Sequence, residues 1–323
     1  MDASAASGTY AVSVTDVLAA RGRIAPWARR TPLLSSASLD ALAGRSLHFK
    51  AEPFQRTGSF KFRGAANAVR WLDDASAARG VATHSSGNHA QALALAARLR
   101  GIAAHIVMPS NAPAVKRAAV EAYGGIVTLC EPNLAAREAG LADIVARTGA
   151  VAIPPFDHPM VIAGQGTIAC EILEDVPDVD TIVAPVGGGG MIGGIAIATR
   201  ALSPRTRVIA AEPAGAADAA LSKRTGVRQP MANPQTIADG LRTSLGELTF
   251  PIVRDLVHEV IVVEEREIIA AMRLVWERLK VVIEPSAAVG VAAMLRDDVR
   301  FRSELGVAAV VLCGGNVDAG SLA

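Results

Sequence analysis

Short runs of β-branched and aliphatic residues alternate with longer stretches of helical periodicity along most of the chain. The predicted strands are Val81–His84, Ala104–Met108, Ile126–Leu129, Thr181–Pro185, Val208–Ala211, Val260–Val263 and Ala308–Leu312. The predicted helices are Ala90–Arg100, Ala114–Tyr123, Ala135–Arg147, Val161–Glu174, Ile192–Leu202, Arg266–Leu279 and Ala287–Leu295. Because strands and helices alternate, the pattern predicts right-handed βαβ units and parallel sheets with helices on both faces, which is an α/β fold.

Glycine and proline pairs divide this pattern into two parts. Gly124-Gly125 and Pro154-Pro155 interrupt the first half of the chain. At 323 residues the chain is long enough for two domains. We expect a small domain over residues 78–155, and a large domain formed by residues 1–77 together with residues 156–323.

The composition excludes several classes of function. Hydrophobic residues make up 51% of the chain and aromatic residues only 4%, a balance typical of buried parallel strands covered by alanine-rich helices. The net charge of +1 provides no basic field for nucleic acid, and no apolar stretch reaches membrane-spanning length. The N-terminus lacks the features of a signal peptide. The three cysteines (Cys130, Cys170 and Cys313) are odd in number and have no metal-binding spacing, so we expect a cytoplasmic protein without nucleic-acid or membrane partners.

A lysine between two aromatic rings stands just before an apolar helical stretch. In the segment 58–64, Lys61 is flanked by Phe60 and Phe62, and the helical stretch covers residues 65–72. The partial positive charge of a helix N-terminus and the loss of water beside the rings both favour the neutral amine. A neutral lysine amine is a nucleophile that forms Schiff bases with carbonyl groups. The alternative is a solvated lysine whose stem lies along the rings.

A polar loop follows the predicted strand Val81–His84 and opens the next helix. Its residues are Ser85, Ser86, Gly87, Asn88 and His89. Hydroxyl and backbone N–H groups at this position can bind a carboxylate. The same sequence is also typical of an ordinary helix cap and turn.

Four consecutive glycines follow the predicted strand Thr181–Pro185. Because Gly187–Gly190 carry no Cβ atoms, their backbone N–H groups can close around a phosphate at the start of the next helix. The loop also satisfies the dinucleotide pattern G-x-G-x-x-G, with Glu212 about 20 residues further on. A nicotinamide-dependent oxidoreductase is therefore a rival interpretation, although it gives Lys61 no role.

Two further groups at strand ends are candidates for chemistry. Cys313 follows the last predicted strand, where its thiol faces a heterocyclic nitrogen or fills space. Glu212 and Asp218, with a backbone carbonyl between them, suit a hard cation that prefers oxygen ligands. Two acids at this spacing are also common on a solvated surface.

Taken together, these segments resemble the fold-type II pyridoxal phosphate (PLP) enzymes, and among them the serine racemase and threonine dehydratase family. The resemblance extends from Arg30-Thr31-Pro32 to the segment 314–318, which ends at Asp318. Its motifs are Ser59-Phe60-Lys61-x-Arg63-Gly64, Ser85–His89, Ala163-Gly164-Gln165-Gly166-Thr167, the four glycines and Glu284-Pro285-Ser286. The resemblance implies a two-lobed fold like that of the tryptophan synthase β subunit, and it decides against the oxidoreductase.

The resemblance also implies roles for the residues that hold PLP. Lys61 resembles the lysine that forms the Schiff base, Phe60 the ring against one cofactor face, and Gly240 lies near the other face. Asn88 resembles the donor to the phenolic oxygen. Cys313 matches the position facing the pyridine nitrogen, where serine or threonine is common; its uncharged thiol would favour elimination. The phosphate cup is made of Gly187, Gly188, Gly189, Gly190 and Met191.

A second set of residues resembles those that contact the substrate and a metal ion. The substrate carboxylate is held by Ser85, Ser86, Asn88 and His89, and the substrate side chain by Arg137 and the Thr243-Ser244 region. The metal ligands are Glu212, Asp218 and the carbonyl of Ala216, which together bind Mg²⁺, Mn²⁺ or Ca²⁺. Ser86 separates subgroups, because threonine dehydratases typically have alanine there, whereas serine racemases and 3-hydroxyaspartate dehydratases have serine.

The implied activity is racemisation of serine, accompanied by β-elimination of L-serine or L-threonine to a keto acid and ammonia. Lys61 takes the α-proton of the L-isomer and Ser86 returns a proton on the opposite face, so each face has one acid–base group. The substrate is a β-hydroxy amino acid, a homodimer is expected, and a nucleotide effector is left open. The alternatives are a 3-hydroxyaspartate or threonine dehydratase with little racemase activity, and a PLP-binding protein without turnover.

Overall fold

Within the described residues the fold contains two sheets, whose strands are short and rich in valine, isoleucine and alanine. The structure is a computed structural model that describes residues 10–300 and 302–317; residues 1–9 and Asp318 of the family motif lie outside the described residues. The strands are β1 (Leu33–Leu34), β2 (Leu47–Ala51), β3 (Val81–His84), β4 (Ala104–Pro109), β5 (Ile126–Cys130), β6 (Val151–Ala152), β7 (Thr181–Pro185), β8 (Arg207–Pro213), β9 (Glu259–Val263) and β10 (Ala308–Leu312).

Helices precede, separate and cover these strands. They are α1 (Val14–Ile24), α2 (Ala37–Ala43), α3 (Lys61–Trp71), α4 (Asp74–Ala78), α5 (Asn88–Arg100), α6 (Ala114–Ala122), α7 (Leu134–Thr148), α8 (Pro159–Asp175), α9 (Gly190–Leu202), α10 (Asp218–Thr225), α11 (Thr249–Leu256), α12 (Glu265–Arg278), α13 (Pro285–Leu295) and α14 (Asp297–Arg300). Within the described part of the chain, no helix is both long and apolar enough to cross a membrane.

The two sheets are almost entirely parallel. The larger has the order β1-β2-β10-β7-β8-β9, in which only β1 is antiparallel, and the smaller has the order β5-β4-β3-β6. The predicted α/β class with parallel sheets flanked by helices is therefore confirmed. Because the strands within each sheet run in the same direction, the loops after β3, β7, β8 and β10 leave from carboxyl ends, where ligands bind in such sheets.

Glycine pairs allow three helices to pack closely against one another. Helix α8 lies against both α3 and α9. A Cβ atom on Gly164 would lie 2.7 Å from the Cα of Gly64, and one on Gly166 would lie 2.7 Å from the carbonyl oxygen of Gly194. Real Cβ atoms do not approach backbone this closely, so the glycines of the predicted motif 163–167 have a packing role. They determine where α3, which begins at Lys61, lies relative to α9, which begins at Gly190.

A buried ionic cluster fixes the first turn of α3. Arg63 is 1% exposed and donates two hydrogen bonds to Glu52 (2.8 Å each) and two to Glu171 (2.7 and 2.9 Å). Lys50 of β2 pairs with the same Glu171 at 2.7 Å and donates to the carbonyl oxygen of Thr31 at 2.6 Å. Burial alone would lower the pKa of Arg63, but the two carboxylates raise it, so the guanidinium stays charged. Because every charge in the cluster has an opposite partner, α3 is tied to β2 and α8 at fixed positions.

Candidate active site

The amine of Lys61 lies at the first residue of α3. Its Nζ donates a hydrogen bond to the carbonyl oxygen of Pro155 at 2.8 Å and lies 5.0 Å from the centre of the Phe60 ring. Burial lowers the pKa of Lys61 to about 8, although nearby Cys313 and Glu284 act in the opposite direction. A considerable fraction of this amine is therefore neutral near pH 8, as nucleophilic and acid–base chemistry require.

The four glycines form a closed loop between β7 and α9. All of them are buried, and Gly189 has a φ of 83°, a conformation that glycine adopts without strain. A Cβ atom on Gly188 would lie within 2.5 Å of the ring of Phe156, and one on Gly190 would lie 2.9 Å from the Cβ of Phe156. The hydroxyl of Thr249 donates to the carbonyl oxygen of Gly188 at 2.7 Å. The loop therefore has space for backbone only, and the N-terminus of α9 adds partial positive charge.

A second segment, which contains Gly240 and Thr243, borders this loop. A Cβ atom on Gly187 would lie 3.2 Å from the hydroxyl oxygen of Thr243 and 3.3 Å from the carbonyl oxygen of Gly240. Gly240 is held in place because its N–H donates to the hydroxyl oxygen of Ser286 at 3.1 Å. Thr243 and Gly240 thus lie beside the glycine loop, and Met191 is buried in the first turn of α9.

The loop after β3 places Ser85, Ser86 and Asn88 at the opening of α5, where all three are partly buried. His89 is 2% exposed, and its Nε2 donates to the carbonyl oxygen of Ile153 at 2.9 Å. Burial lowers the pKa of His89 to about 3, with a smaller contribution from the charge of Lys61. The imidazole is therefore neutral at ordinary pH, carries its proton on Nε2, and supplies no positive charge for a carboxylate.

Asn88 connects this loop to two residues near the last strand. Its Nδ2 donates to both carboxylate oxygens of Glu284 (3.0 and 3.1 Å), and its Oδ1 accepts from Nδ2 of Asn316 at 2.8 Å. Burial raises the pKa of Glu284 to about 7, while the Asn88 hydrogen bonds oppose this shift. The pKa of the buried Cys313 thiol is also raised, first by burial and then by Glu284. The thiol is therefore uncharged, and it lies close enough to Lys61 and Glu284 for their charges to influence it.

Arg137 lies on α7, which packs against β3 and β4 of the four-stranded sheet. Burial lowers the pKa of His84, the last residue of β3, and the charge of Arg137 lowers it further. Within the described residues, Nε of Arg137 and Nδ1 of His84 are buried without a hydrogen-bond partner. Arg137 thus lies beside the strand that leads into the serine loop, whereas Thr243 lies beside the glycine loop.

Two acids, Glu212 near the end of β8 and Asp218 at the start of α10, are buried close to each other. Glu212 is 0% exposed and accepts from the backbone N–H groups of Ala219 and Ala220 at 2.9 Å each. Asp218 is 4% exposed and accepts from the N–H of Leu245 at 3.1 Å, but its Oδ1 is buried without a partner within the described residues.

Burial makes the ionised forms of these two carboxyls unfavourable when no cation is bound. Burial is the main cause that raises the pKa of Glu212 to about 8 and that of Asp218 to about 6. Ala216 ends a short 3-10 turn over Ala214–Ala216 between them. No cluster of three or more metal-binding side chains exists within the described residues, so a cation here would need the Ala216 carbonyl or water as further ligands.

Three residues of the site were not singled out from the sequence. Pro155 and Phe156 belong to the segment that crosses between the sheets, and Glu284 was noted only as part of a motif. The proline pair was interpreted as punctuation, although its second carbonyl accepts from Lys61. The sequence does not predict that the carboxylate at the start of α13 is buried, because a glutamate before a proline is also common at an ordinary helix N-terminus.

Comparison with known proteins agrees with this arrangement. Residues 24–314 match the family model described as pyridoxal-phosphate dependent enzyme. The chain is 48% identical over 321 residues to a serine racemase of Oryza sativa subsp. indica, covering 98% of this chain and 95% of that protein. It is 48% identical over 309 residues to a β-hydroxyaspartate dehydratase of Paracoccus denitrificans (strain Pd 1222), covering 96% and 98% respectively.

A solved structure shares the whole fold. The structure of maize serine racemase superimposes with a TM-score of 0.95 at 48% identity, covering 97% of this chain and 96% of that one. The resemblance inferred from the motifs is therefore confirmed over nearly the full length. The chain belongs to the family of pyridoxal-phosphate dependent enzymes.

Proposed function

We propose that this enzyme racemises serine and also eliminates water from L-serine and L-threonine to give a keto acid and ammonia. The observation that carries the proposal is the position of Lys61, a partly neutral amine that donates to Pro155, next to the Phe156 ring that packs on the glycine loop, and whose charge acts on His89 of the serine loop. The similarity to serine racemases over nearly the whole chain supports the same substrate class.

The residues present fit pyridoxal phosphate. Lys61 is an amine with a lowered pKa, which suits reaction with the aldehyde. The loop of Gly187–Gly190 has space only for backbone, which suits a phosphate. Asn88 supplies an amide donor for the phenolic oxygen, and Cys313 supplies an uncharged thiol for the pyridine nitrogen. When bound, the cofactor supplies a conjugated ring that delocalises the electrons left when the Cα–H bond breaks.

The chain's own groups determine which bond breaks and where the protons go. Nζ of Lys61 takes the α-proton of the L-isomer, and the hydroxyl of Ser86 returns a proton from the opposite face to give the D-isomer. The hydroxyl of Ser85 and the N–H groups of Ser86 and Asn88, at the N-terminus of α5, bind the substrate carboxylate, since the N–H of Ser85 already donates to the carbonyl oxygen of Val107 at 3.1 Å. Neutral His89 supports this loop through its bond to Ile153. Elimination competes with reprotonation, because the β-hydroxyl can leave before Ser86 delivers its proton.

A substrate panel tests this function. L-serine, D-serine, L-threonine and the isomers of 3-hydroxyaspartate are each supplied, and keto acid and enantiomer are measured together. Lys61→Ala should abolish both reactions, and retained turnover would overturn the proposal. Ser86→Ala should reduce racemisation while sparing much of the elimination of L-serine. If both activities fall equally, Ser86 binds the substrate and does not act as an acid.

A dehydratase of 3-hydroxyaspartate is the second candidate. It is favoured by one observation, the buried Nε of Arg137 without a hydrogen-bond partner in the described part of the chain, since a second substrate carboxylate needs such a donor. The relative from Paracoccus denitrificans supports the same candidate. Arg137→Met should raise KM for hydroxyaspartate and leave KM for serine unchanged if this role is correct.

We also propose a divalent cation, Mg²⁺, Mn²⁺ or Ca²⁺, between Glu212, Asp218 and the carbonyl of Ala216. The unpartnered Oδ1 of Asp218 and the raised pKa of both carboxyls support it, because a cation would supply the missing partner and charge. Asp218 also accepts from Leu245, whose side chain packs against Gly189. The cation would therefore stabilise the wall of the phosphate cup without taking part in proton transfer.

The remaining parts of the proposal concern the domains, the oligomeric state and the location of the protein. We propose a division into a large domain of residues 1–77 and 156–323 and a small domain of residues 78–155. The separate sheet formed by β3 to β6 supports this division. A cytoplasmic homodimer and a nucleotide effector site rest on the family resemblance and on the cysteine pattern alone. Size-exclusion chromatography with light scattering, and thermal shifts with adenine nucleotides, test these two proposals.

A further inference from the structure

Asn316 is an amide side chain that joins three parts of the site and has no role in the proposed chemistry. Its Nδ2 donates to Oδ1 of Asn88 at 2.8 Å and to the carbonyl oxygen of Thr57 at 2.7 Å. Its backbone N–H donates to Oε2 of Glu284 at 3.2 Å. The residue therefore links the loop before Lys61, the opening of α5 and the start of α13.

These contacts determine which way the Asn88 amide faces. Because Nδ2 of Asn316 is a donor and Glu284 is an acceptor, Asn88 must present Oδ1 to the first and Nδ2 to the second. A flipped amide would place its oxygen against a carboxylate and its N–H₂ against another N–H₂. Both contacts would be unfavourable, and both groups lie in a partly buried site.

The side of the Asn88 amide that faces away from Asn316 then carries only the N–H₂ group, which can only donate hydrogen bonds. Its Nδ2 lies at nearly equal distances from the two oxygens of Glu284 (3.0 and 3.1 Å), as when one hydrogen is shared between them. The second hydrogen of the same N–H₂ is then left for a ligand. An acceptor such as the phenolic oxygen of the cofactor is the ligand that this orientation fits.

Asn316 is itself fixed by an unusual loop. Thr57, a β-branched residue, has a φ of 59°, and the following Gly58 has a φ of 72°. Such a conformation is costly for threonine and persists only where its surroundings determine it. It directs the Thr57 carbonyl oxygen to Asn316, and a Cβ atom on Gly58 would lie 3.1 Å from the Cγ of Asn316. The N–H of Gly315 also donates to the carbonyl oxygen of Gly58 at 2.9 Å.

We propose that Asn316 is a positioning residue that holds Asn88 with its N–H toward the phenolic oxygen of pyridoxal phosphate. The inference rests on the proposed role of Asn88 as the donor to that oxygen. Asn316 also connects Asn88 to the segment that leads into Lys61, so the donor and the amine keep a fixed separation.

The test is a double-mutant cycle with Asn88→Ala, Asn316→Ala and the double variant. Two quantities are measured on the purified full chain: the dissociation constant of PLP from titration of the apoenzyme, and the absorption spectrum of the bound cofactor as a function of pH. Asn316→Ala should weaken PLP binding about tenfold and shift the pH dependence of the spectrum in the same direction as Asn88→Ala. In the Asn88→Ala background, Asn316→Ala should add little, because its partner is already absent.

Asn316→Asp extends the test to the direction of the hydrogen bond. The substitution replaces the donor with an acceptor facing Oδ1 of Asn88 and the Thr57 carbonyl oxygen, so it should weaken PLP binding more than Asn316→Ala does. Asn133→Ala is the matched control, because Asn133 caps α7 through Ala136 away from these contacts. It should lower the melting temperature and leave the cofactor spectrum unchanged.

The outcomes separate this inference from the function on which it rests. If Asn88→Ala leaves both PLP binding and the spectrum unchanged, the proposed role of Asn88 is wrong, and the inference fails with it. If Asn88→Ala has the expected effect and Asn316→Ala has none, only the inference is overturned. It is likewise overturned if Asn316→Ala has the same effect in both backgrounds, because the residue would then act on the fold and not through Asn88.

Discussion

Substitution of Gly188 by alanine would place a methyl group inside the wall of the glycine loop. The added Cβ would lie within 2.5 Å of Cδ2 of Phe156 and closer still to Cγ and Cδ1. The ring cannot simply move away with its backbone, because Asp157 next to it accepts hydrogen bonds from the N–H groups of Glu247, Leu248 and Thr249. Either the ring changes its rotamer or the loop moves away from the ring.

The size of the effect follows from the two ways to relieve this contact. Overpacking of a well-packed interior costs about 1–3 kcal/mol, so the free energy of unfolding should fall by that amount if the ring moves. If the loop moves instead, a backbone N–H loses its position for the phosphate. A hydrogen bond to a charged group contributes about 1.5–3 kcal/mol, so PLP binding should weaken by about ten- to a hundredfold.

Two companion variants identify the cause. Gly193→Ala, in the same helix α9, should leave PLP binding unchanged, because the nearest atom to its added Cβ is 3.7 Å away on Ile252. It should also increase the free energy of unfolding by about 0.5–1 kcal/mol, the difference between glycine and alanine inside a helix. Phe156→Ala in the Gly188→Ala background should restore part of the PLP affinity by removing the ring.

The assay is titration of each apoenzyme with PLP, followed by fluorescence, together with urea denaturation of the same preparations. The ³¹P chemical shift of the bound phosphate reports the loop without any measurement of turnover. Wild-type affinity and an unchanged chemical shift in Gly188→Ala would refute the close packing between this glycine and Phe156. Failure of Phe156→Ala to restore affinity would refute the ring as the cause.

Three further predictions concern charged groups around the site. A lysine in place of Arg63 cannot bridge Glu52 and the second carboxylate of the cluster at once. Calorimetry should therefore show that Arg63→Lys lowers the free energy of unfolding by about 3 kcal/mol, and a decrease below about 1 kcal/mol would contradict a structural role for the cluster. Asp157→Asn should lower the free energy of unfolding in urea by about 1–2 kcal/mol, since one of three backbone N–H donors loses its acceptor, and an unchanged midpoint would show that these bonds do not contribute. Burial raises the pKa of Glu212 to about 8 and that of Asp218 to about 6, so the folded state favours their protonated forms. The contribution of these two groups to the free energy of unfolding is therefore present at low pH and is lost as the pH rises through these values. The free energy of unfolding of the metal-free protein should therefore fall by about 3 kcal/mol between pH 6 and pH 8.5. Mg²⁺ should raise the melting temperature more at pH 8.5 than at pH 6, and an equal increase at both pH values would be inconsistent with these ligands.

Three strands without a lysine, arginine or carboxylate side chain could be predicted with their exact bounds, whereas a strand that contains a paired charge could not. Val81–His84, Thr181–Pro185 and Ala308–Leu312 have the predicted bounds. The strand Leu47–Ala51 was missed, because its lysine interrupts the apolar pattern. Lys50 is nevertheless fully buried, since its ammonium group pairs with a carboxylate of α8. Such a partner is distant in the sequence, so only the folded structure reveals that burial is tolerated there.

The positions of the reactive groups were easier to predict than their orientations. The helices after the serine loop and after the glycine loop begin two residues earlier than the apolar periodicity predicted, at Asn88 and Gly190. Periodicity identifies the buried face of a helix but not its first turn, where residues are chosen for capping and binding. The direction of the Asn88 amide depends on Glu284 and Asn316, which are close to it only after folding.

The charges of the site explain why a glycine loop would suit the proposed phosphate better than a basic pocket. Burial favours the neutral forms of Lys61, His89 and Cys313, and it raises the pKa of Glu284 to about 7. A lysine or arginine beside the phosphate would add a fixed positive charge near the amine. That charge would lower the pKa of Lys61 further and would favour the ionised form of Glu284. Backbone N–H groups at the start of α9 bind an anion with partial charges that fall off within one turn. The phosphate can therefore be held strongly while the protonation of the reacting amine is set by burial.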